Sequence, residues 1–144
     1  MGVEIKFSGN GVGVELHAFG VVHGREIIEA NIEIYHPKHL RKQKYKIIDK
    51  SKCTEYNVSA KDIEFIAELD KEASLLNPRL LIAIIESKSL QFSLTGLWQA
   101  YVEGCGFNTK SFRDRHSALD WIAENLKSKK IITRPALKYN WLVK

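Results

Sequence analysis

Apolar and polar residues alternate over two early segments, Val3, Ile5 and Phe7 against Glu4 and Lys6, then Val12, Val14, Leu16 and Ala18 against Gly13, Glu15 and His17. A period of two places successive side chains on opposite faces, so both segments are predicted strands. Gly9-Asn10-Gly11 between them suits a tight hairpin, because Gly and Asn tolerate positive φ. Gly9-x-Gly11-x-Gly13 also has the spacing of a phosphate loop, but that device needs a helix immediately after it, and a strand pattern follows. From Gly24 to Tyr35 the period changes, with Ile27, Ile28, Asn31, Ile34 and Tyr35 on one helical face and Glu26, Glu29 and Glu33 on the other, before Pro37. Asn31 is the polar member of the apolar face, and the preferred reading is a buried amide bonded to neighbouring backbone, with a ligand contact as the alternative.

Tyr45 to Asp49 reads as a short strand and Leu80 to Ile85 as a central one, apolar throughout like strands covered on both faces. A helix from about Ser59 to Leu76 lies between them. Ser59 and Asp62 form a variant of the capping box, Ile63, Ile66, Ala67, Leu69, Ala73 and Leu76 supply the buried side, and Asn77-Pro78 ends the helix. A further helix over about Leu90 to Glu103 carries Leu94, Leu97, Trp98, Tyr101 and Val102 and stops at Gly104-Cys105-Gly106. Phe107 to Phe112 is predicted as an edge strand. The last helix begins near Asp114, buries Ala118, Leu119, Ile122 and Leu126, and ends in lysines that suit its dipole. The expected fold class is therefore α/β, one domain with an N-terminal β-hairpin followed by alternating helices and strands, the helices packed on a mixed sheet.

Length and charge refine this picture. A chain of 144 residues has a prior of a single domain, expected over residues 1–128 with an extension over 129–144. The net charge of +5 is concentrated: Lys127, Lys129, Lys130, Arg134, Lys138 and Lys144 face no acid, which leaves residues 1–126 near neutrality. A second basic run holds Lys38, Arg41, Lys42, Lys44, Lys46, Lys50 and Lys52 against Asp49. Aromatic residues of the kind that stack bases are sparse there, so nucleic acid is not the expected partner. In the extension, Leu137, Tyr139, Trp141 and Val143 alternate as an added strand would, packed on this domain or on a second copy in a homodimer. The competing use of Trp141 and the lysines is an anionic membrane surface. The first residues, Met1 to Ser8, carry acid early and no apolar core of signal-peptide length, so secretion is not expected; the longest strictly apolar run is far short of about 20 residues, and Cys53 and Cys105 follow no disulfide or CxxC pattern, so the cytoplasm is the expected compartment.

Candidate chemistry is thin. His36 and His39 lack the further ligands that zinc requires, so no metal is expected, and no cofactor motif stands out. His17, His23 and His116 have no paired nucleophile by spacing. Cys105 between two glycines reads as a small packed residue rather than a reactive thiol, and Glu68, Asp70 and Glu72 read as a solvated helix face. No catalytic constellation emerges.

Several strings do have a family likeness: Phe19-Gly-Val-Val-His-Gly-Arg-Glu26, Ala30-Asn-Ile-Glu-Ile-Tyr35, Tyr45-Lys-Ile-Ile-Asp49, Asn57-Val-Ser-Ala-Lys-Asp62, Leu97-Trp-Gln-Ala-Tyr101 and Phe112-Arg-Asp-Arg-His-Ser-Ala-Leu-Asp-Trp-Ile122. Together they resemble the SpoIIAA-like branch of the STAS superfamily, a fold associated with the SEC14 lipid-transfer domains, over about Val3 to Leu126. The resemblance implies a non-catalytic regulatory domain with a protein partner. In the antagonist proteins of that branch, a strand ending in Asp leads to a loop whose hydroxyl residue is phosphorylated at a helix start. Asp49 corresponds to the strand end, Ser59 to the phosphoacceptor, and Asn57 and Ala60 stand where those proteins have an acid and a glycine. An ordinary helix cap is the competing account of Ser59, worth about 1 kcal/mol. The SEC14 association implies instead a module for an apolar ligand or membrane surface, for which Asn31, Trp98, Tyr101 and Trp141 are the candidate contacts.

Overall fold

The computed structural model describes the backbone of residues 2–87 and 89–139 and the side chains of residues 2–87 and 93–127. Five strands, β1 (Val3–Ser8), β2 (Gly13–His23), β3 (Tyr45–Asn57), β4 (Leu81–Ile85) and β5 (Asn108–Phe112), form one sheet in sequence order. β1 pairs antiparallel with β2, and each later strand is parallel to its predecessor. The connections are α1 (Gly24–Ile34) with the short α2 (Pro37–Leu40), then α3 (Ala60–Leu76) and α4 (Ser89–Tyr101), while α5 (Arg115–Tyr139) follows the last strand. The alternation read from the sequence is thus realised as an α/β fold with a mixed sheet. The hairpin turn takes positive φ at Gly9, Asn10 and Gly11, at 58°, 59° and 93°, and β2 rather than a helix follows it.

The two faces of the sheet are covered differently. Val14, Leu16 and Val22 of β2, Ile82 and Ile84 of β4 and the inner sides of α1, α3 and α4 form the larger core. On the opposite face, Ile47, Leu81, Ala83 and Ile85 pack under Ala118 and Ile122 of α5. β4 lies between both layers and is buried along its whole length, as its apolar sequence requires. Leu76 and Leu119, expected in the core, are 52% and 40% exposed; each lies at the margin of its helix's buried stripe.

β3 departs most from expectation, continuing past Asp49 to Asn57 and pairing with β2 as far as His23. The register opposes His17 to Asp49 and Phe19 to Lys52, then Gly20 to Cys53 and Val21 to Glu55. Lys50 and Ser51 therefore face the single Ala18, and Thr54 is a second extra residue, which makes two bulges. These extra residues break the period of two and hide the second half of the strand. Inward positions run 46, 48 and 50, then 53 and 56. The extension 129–144 falls partly in α5, whose backbone extends to Tyr139; Trp141 and Val143 lie outside the described residues.

Candidate functional site: a buried charged cavity

Lys46 and Lys50 flank Ile48 on the face of β3 that packs against α1, α3 and α4, and the same row continues on β4 as Ile82, Ile84 and then Glu86, just past the strand end. Lys46 is 1% exposed, Lys50 6% and Glu86 0%. A cavity of about 30 Å³ lies in this layer, with Asn31, Lys46, Asp70 and Trp98 at one pole and Lys50 and Thr95 at the other. Ile48, Ile63, Ile66, Ile84 and Leu94 supply apolar wall between the poles.

The Lys46 pole is a closed network. Lys46 Nζ donates to Asn31 Oδ1, and to Tyr35 Oη at 2.8 Å. Tyr35 in turn donates to Asp70 Oδ1 at 2.5 Å, and Trp98 Nε1 donates to Asp70 Oδ2 at 2.5 Å. The Asn31 amide donates to the Ile27 carbonyl at 3.1 Å, the backbone bond expected of a buried amide, and the residue also lines the cavity. Asp70 is 1% exposed, which corrects its assignment to a solvated face. The reason is visible in the spacing, since Asp70 continues the stripe Ile63, Ile66, Ala67 and Ala73 at helical intervals.

Burial works against both charges. It pushes Lys46 down to about 8 against the pull of Asp70, and it pushes Asp70 up despite Lys46 and the Tyr35 and Trp98 donors. Tyr35 is raised well above its usual range, first by burial and then by Asp70. Below pH 8 the folded chain carries the burial cost of charged Lys46; between about 8 and its ordinary value the folded amine is neutral while the unfolded one keeps its proton, so stability rises with pH. Asp70 has the opposite sign: its folded carboxyl retains a proton above the ordinary value of 3.8, so its contribution falls as pH rises through that window. From about pH 7.5 to about pH 9.5 the stability of the wild type is therefore expected to increase by about 2 kcal/mol relative to Lys46→Met. Urea midpoints across this range check it, and parallel profiles for the two proteins count against it.

The Lys50 pole sits where β3 and β4 stop pairing, at the carboxyl ends of parallel strands, the usual place for ligand crevices in open α/β sheets. The bulge at Lys50 and Ser51 belongs to the same place. Thr95 of α4 donates its hydroxyl to Glu86 Oε1 at 2.6 Å, and Lys50 Nζ lies 3.4 Å from Glu86 Oε1 and 4.8 Å above the Tyr56 ring. Lys50 and Glu86 were not among the residues expected to form a site. The signal available for them was parity: each continues a row of inward apolar positions on its strand.

The residues chosen from the sequence are scattered by comparison. Asp49 points to the α5 face, accepts from the Ser51 amide and hydroxyl at 2.9 and 2.6 Å, and is separated from Ser59 by the rest of β3, so it shares no loop with it. Ser59 is exposed and caps α3: its hydroxyl accepts from the Asp62 amide at 3.1 Å, and Asp62 Oδ2 accepts from the Ser59 amide at 3.0 Å. Asn57 is exposed and bonds to Glu55, and Ala60 is the exposed first residue of α3. Trp98 belongs to the cavity, whereas Tyr101 packs at the edge of the core. Of the basic run, Lys46 and Lys50 are buried, which removes them from any outer basic face.

A second polar cluster lies under α5. Arg115 donates two bonds of 2.8 Å to Glu15, and His17 Nε2 lies 2.8 Å from the same carboxylate. The Arg115 bonds hold the Glu15 carboxyl below its ordinary value against partial burial, with His17 helping. Each charge in this cluster is paired. Among the described residues no three His, Cys, Asp or Glu side chains converge as a metal site, and no helix is long and apolar enough to cross a membrane. In comparisons with known proteins, no family model, no curated protein and no solved structure matches the chain.

Proposed function

We propose that this chain is a non-catalytic regulatory domain of the STAS type that takes a small ligand in the cavity between its sheet and α1, α3 and α4 and passes its occupancy to a protein partner. The observation that carries the reading is the cavity itself, apolar in its walls with a few fixed polar groups, the composition expected of small-molecule sites. The family strings and the order of elements support the STAS assignment. α4 supplies Leu94, Thr95 and Trp98 to the cavity, so an occupant would bear directly on the placement of that helix and on any surface it presents.

The exposed Ser59 hydroxyl supports phosphorylation as a second input. A phosphate there gains from the amino end of α3 and loses from the adjacent Asp62 carboxylate, so it would replace the cap with a different local arrangement.

Native mass spectrometry of the full chain isolated from its own cells, followed by denatured intact mass, tests both inputs. A small-molecule adduct lost on denaturation is the expected result for the cavity, and a phosphate mapped to Ser59 the expected result for the switch. A bare chain that captures the same partners as Ser59→Ala and Ser59→Glu overturns the proposal.

A further inference from the structure

Around the Lys46 amine, the neighbouring donors all point elsewhere. The Tyr35 hydroxyl and the Trp98 indole donate to the two oxygens of Asp70, and the Asn31 amide donates to the Ile27 carbonyl. Lys46 Nζ itself has two acceptors, Asn31 Oδ1 and Tyr35 Oη, while Asp70 Oδ1 lies at 3.9 Å, beyond hydrogen-bond reach. An ammonium group has three hydrogens and no lone pair, whereas the neutral amine has two hydrogens and one lone pair. Two acceptors therefore match the neutral amine, and no donor among the described residues engages its lone pair. Lys46, Asn31, Asp70 and Trp98 all line the cavity, so this amine borders open space.

Burial favours the same form of the group. With Lys46 held down to about 8, about a tenth of it is neutral at pH 7, against less than about a thousandth of an ordinary lysine. A desolvated lysine in an apolar pocket is a nucleophile toward carbonyl carbon. The cavity limits what it can attack, because about 30 Å³ holds roughly two water-sized groups and the wall beside the amine is isoleucine. A two-carbon chain fits once the carbonyl oxygen has departed. The lone pair attacks the carbonyl carbon, a C–N bond forms as the π pair moves to oxygen, and one amine proton passes to that oxygen to give a carbinolamine. The hydroxyl then leaves with the second amine proton as water, and the imine remains, with no oxidant, reductant or further reactant required. Tyr35 Oη, 2.8 Å from Nζ and bonded to Asp70, is placed to relay those protons. Ile48 and Leu94 are the wall residues that are only partly buried, and entry is past them.

We infer that Lys46 captures a short aliphatic aldehyde as a reversible imine, with the alkyl chain in the cavity lined by Ile48, Ile63 and Ile84. This inference rests on the ligand-binding reading above and gives that reading a ligand class and an attachment atom. Capture is stoichiometric and involves no turnover. An imine formed there is sheltered from water in the folded chain and hydrolyses once unfolding exposes it.

Brief exposure of the full chain near neutral pH to limiting acetaldehyde and cyanoborohydride, which reduces an imine to a stable ethylamine, tests it when followed by peptide mapping. Lys46 is expected to be ethylated at least about tenfold faster than any other lysine. The preference is expected to vanish in urea, where the unfolded chain gives Lys46 ordinary basicity. Labelling of Lys46 no faster than that of exposed lysines overturns the imine, and so does a preference that survives unfolding, because the cavity would then play no part in it. Amide NMR titration with ethanol, the unreactive analogue, separates this result from the ligand-binding reading. Saturable shifts at Asn31, Lys46, Asp70 and Trp98 without selective labelling overturn the imine and leave the pocket reading standing. Absence of both the shifts and the labelling overturns both.

Discussion

Asp70→Ala is expected to cost about 3–5 kcal/mol of folding stability, the range found when one partner of a buried charged group is removed. The change does more than delete an ion pair. It leaves the Tyr35 hydroxyl and the Trp98 indole without the acceptor that each reaches at 2.5 Å, and it leaves Lys46 buried beside only neutral acceptors. Each orphaned donor adds a desolvation cost of about 1–3 kcal/mol that no solvent relieves, and a typical domain has about 5–15 kcal/mol in all. Removing the lysine as well relieves the unpaired cation, so Asp70→Ala combined with Lys46→Met is expected to lose less than the sum of the single changes, by about 1–3 kcal/mol. Urea unfolding of the four proteins gives the cycle. Additive losses, or an Asp70→Ala chain within about 1 kcal/mol of wild type, would mean that Asp70 is solvated and the network carries nothing.

Ile84→Ala should produce the second large effect, a loss of about 2–5 kcal/mol. Ile84 is 2% exposed, lies in the middle of the fully buried β4, and forms part of the cavity wall. Neighbours relax only partly around deleted core atoms, and here the vacated volume joins a space that already exists, so collapse is harder than at a tightly packed position. The enlarged cavity gives the variant a property that the wild type lacks: 1-pentanol should raise its melting temperature more than that of wild type, because a ligand bound only by the folded state stabilises it by mass action. Thermal unfolding with and without the alcohol measures this. A loss below about 1 kcal/mol, or equal alcohol response in the two proteins, would place Ile84 away from the cavity.

The same positions show which parts of the molecule were legible in the sequence. Strict alternation marked β1 and the first half of β2, and helical spacing with caps marked α1 and α3, because a single face of each element is buried and composition follows that face. β4 was legible because burial on both sides leaves no polar position. The second half of β3 was not, since two bulges shift its inward positions from a spacing of two to a spacing of three. The same shift moved Asp49 from the end of a strand to its middle and separated it from Ser59.

The polar cavity was legible only in fragments. Asn31 stood out on an apolar face, and Trp98 was a candidate contact, but Lys46, Lys50, Asp70 and Glu86 were read by their charge as surface residues or not singled out at all. Each sits at a position that the period of its own element assigns to the interior. Charge outweighed parity in the reading because burying one charged side chain alone is prohibitive, and nothing in a linear pattern shows that a partner of opposite charge waits on another element.

By itself, then, the sequence determined the local elements, their order and the α/β class, since these depend on periodicity, turn chemistry and capping within short windows. Tertiary structure decided that Lys46 meets Asp70 across 3.9 Å and that Lys50 meets Glu86 and Thr95. Those pairings join residues 24 to 45 positions apart along the chain, and their energetics exist only once the sheet and three helices have excluded water from the space between them.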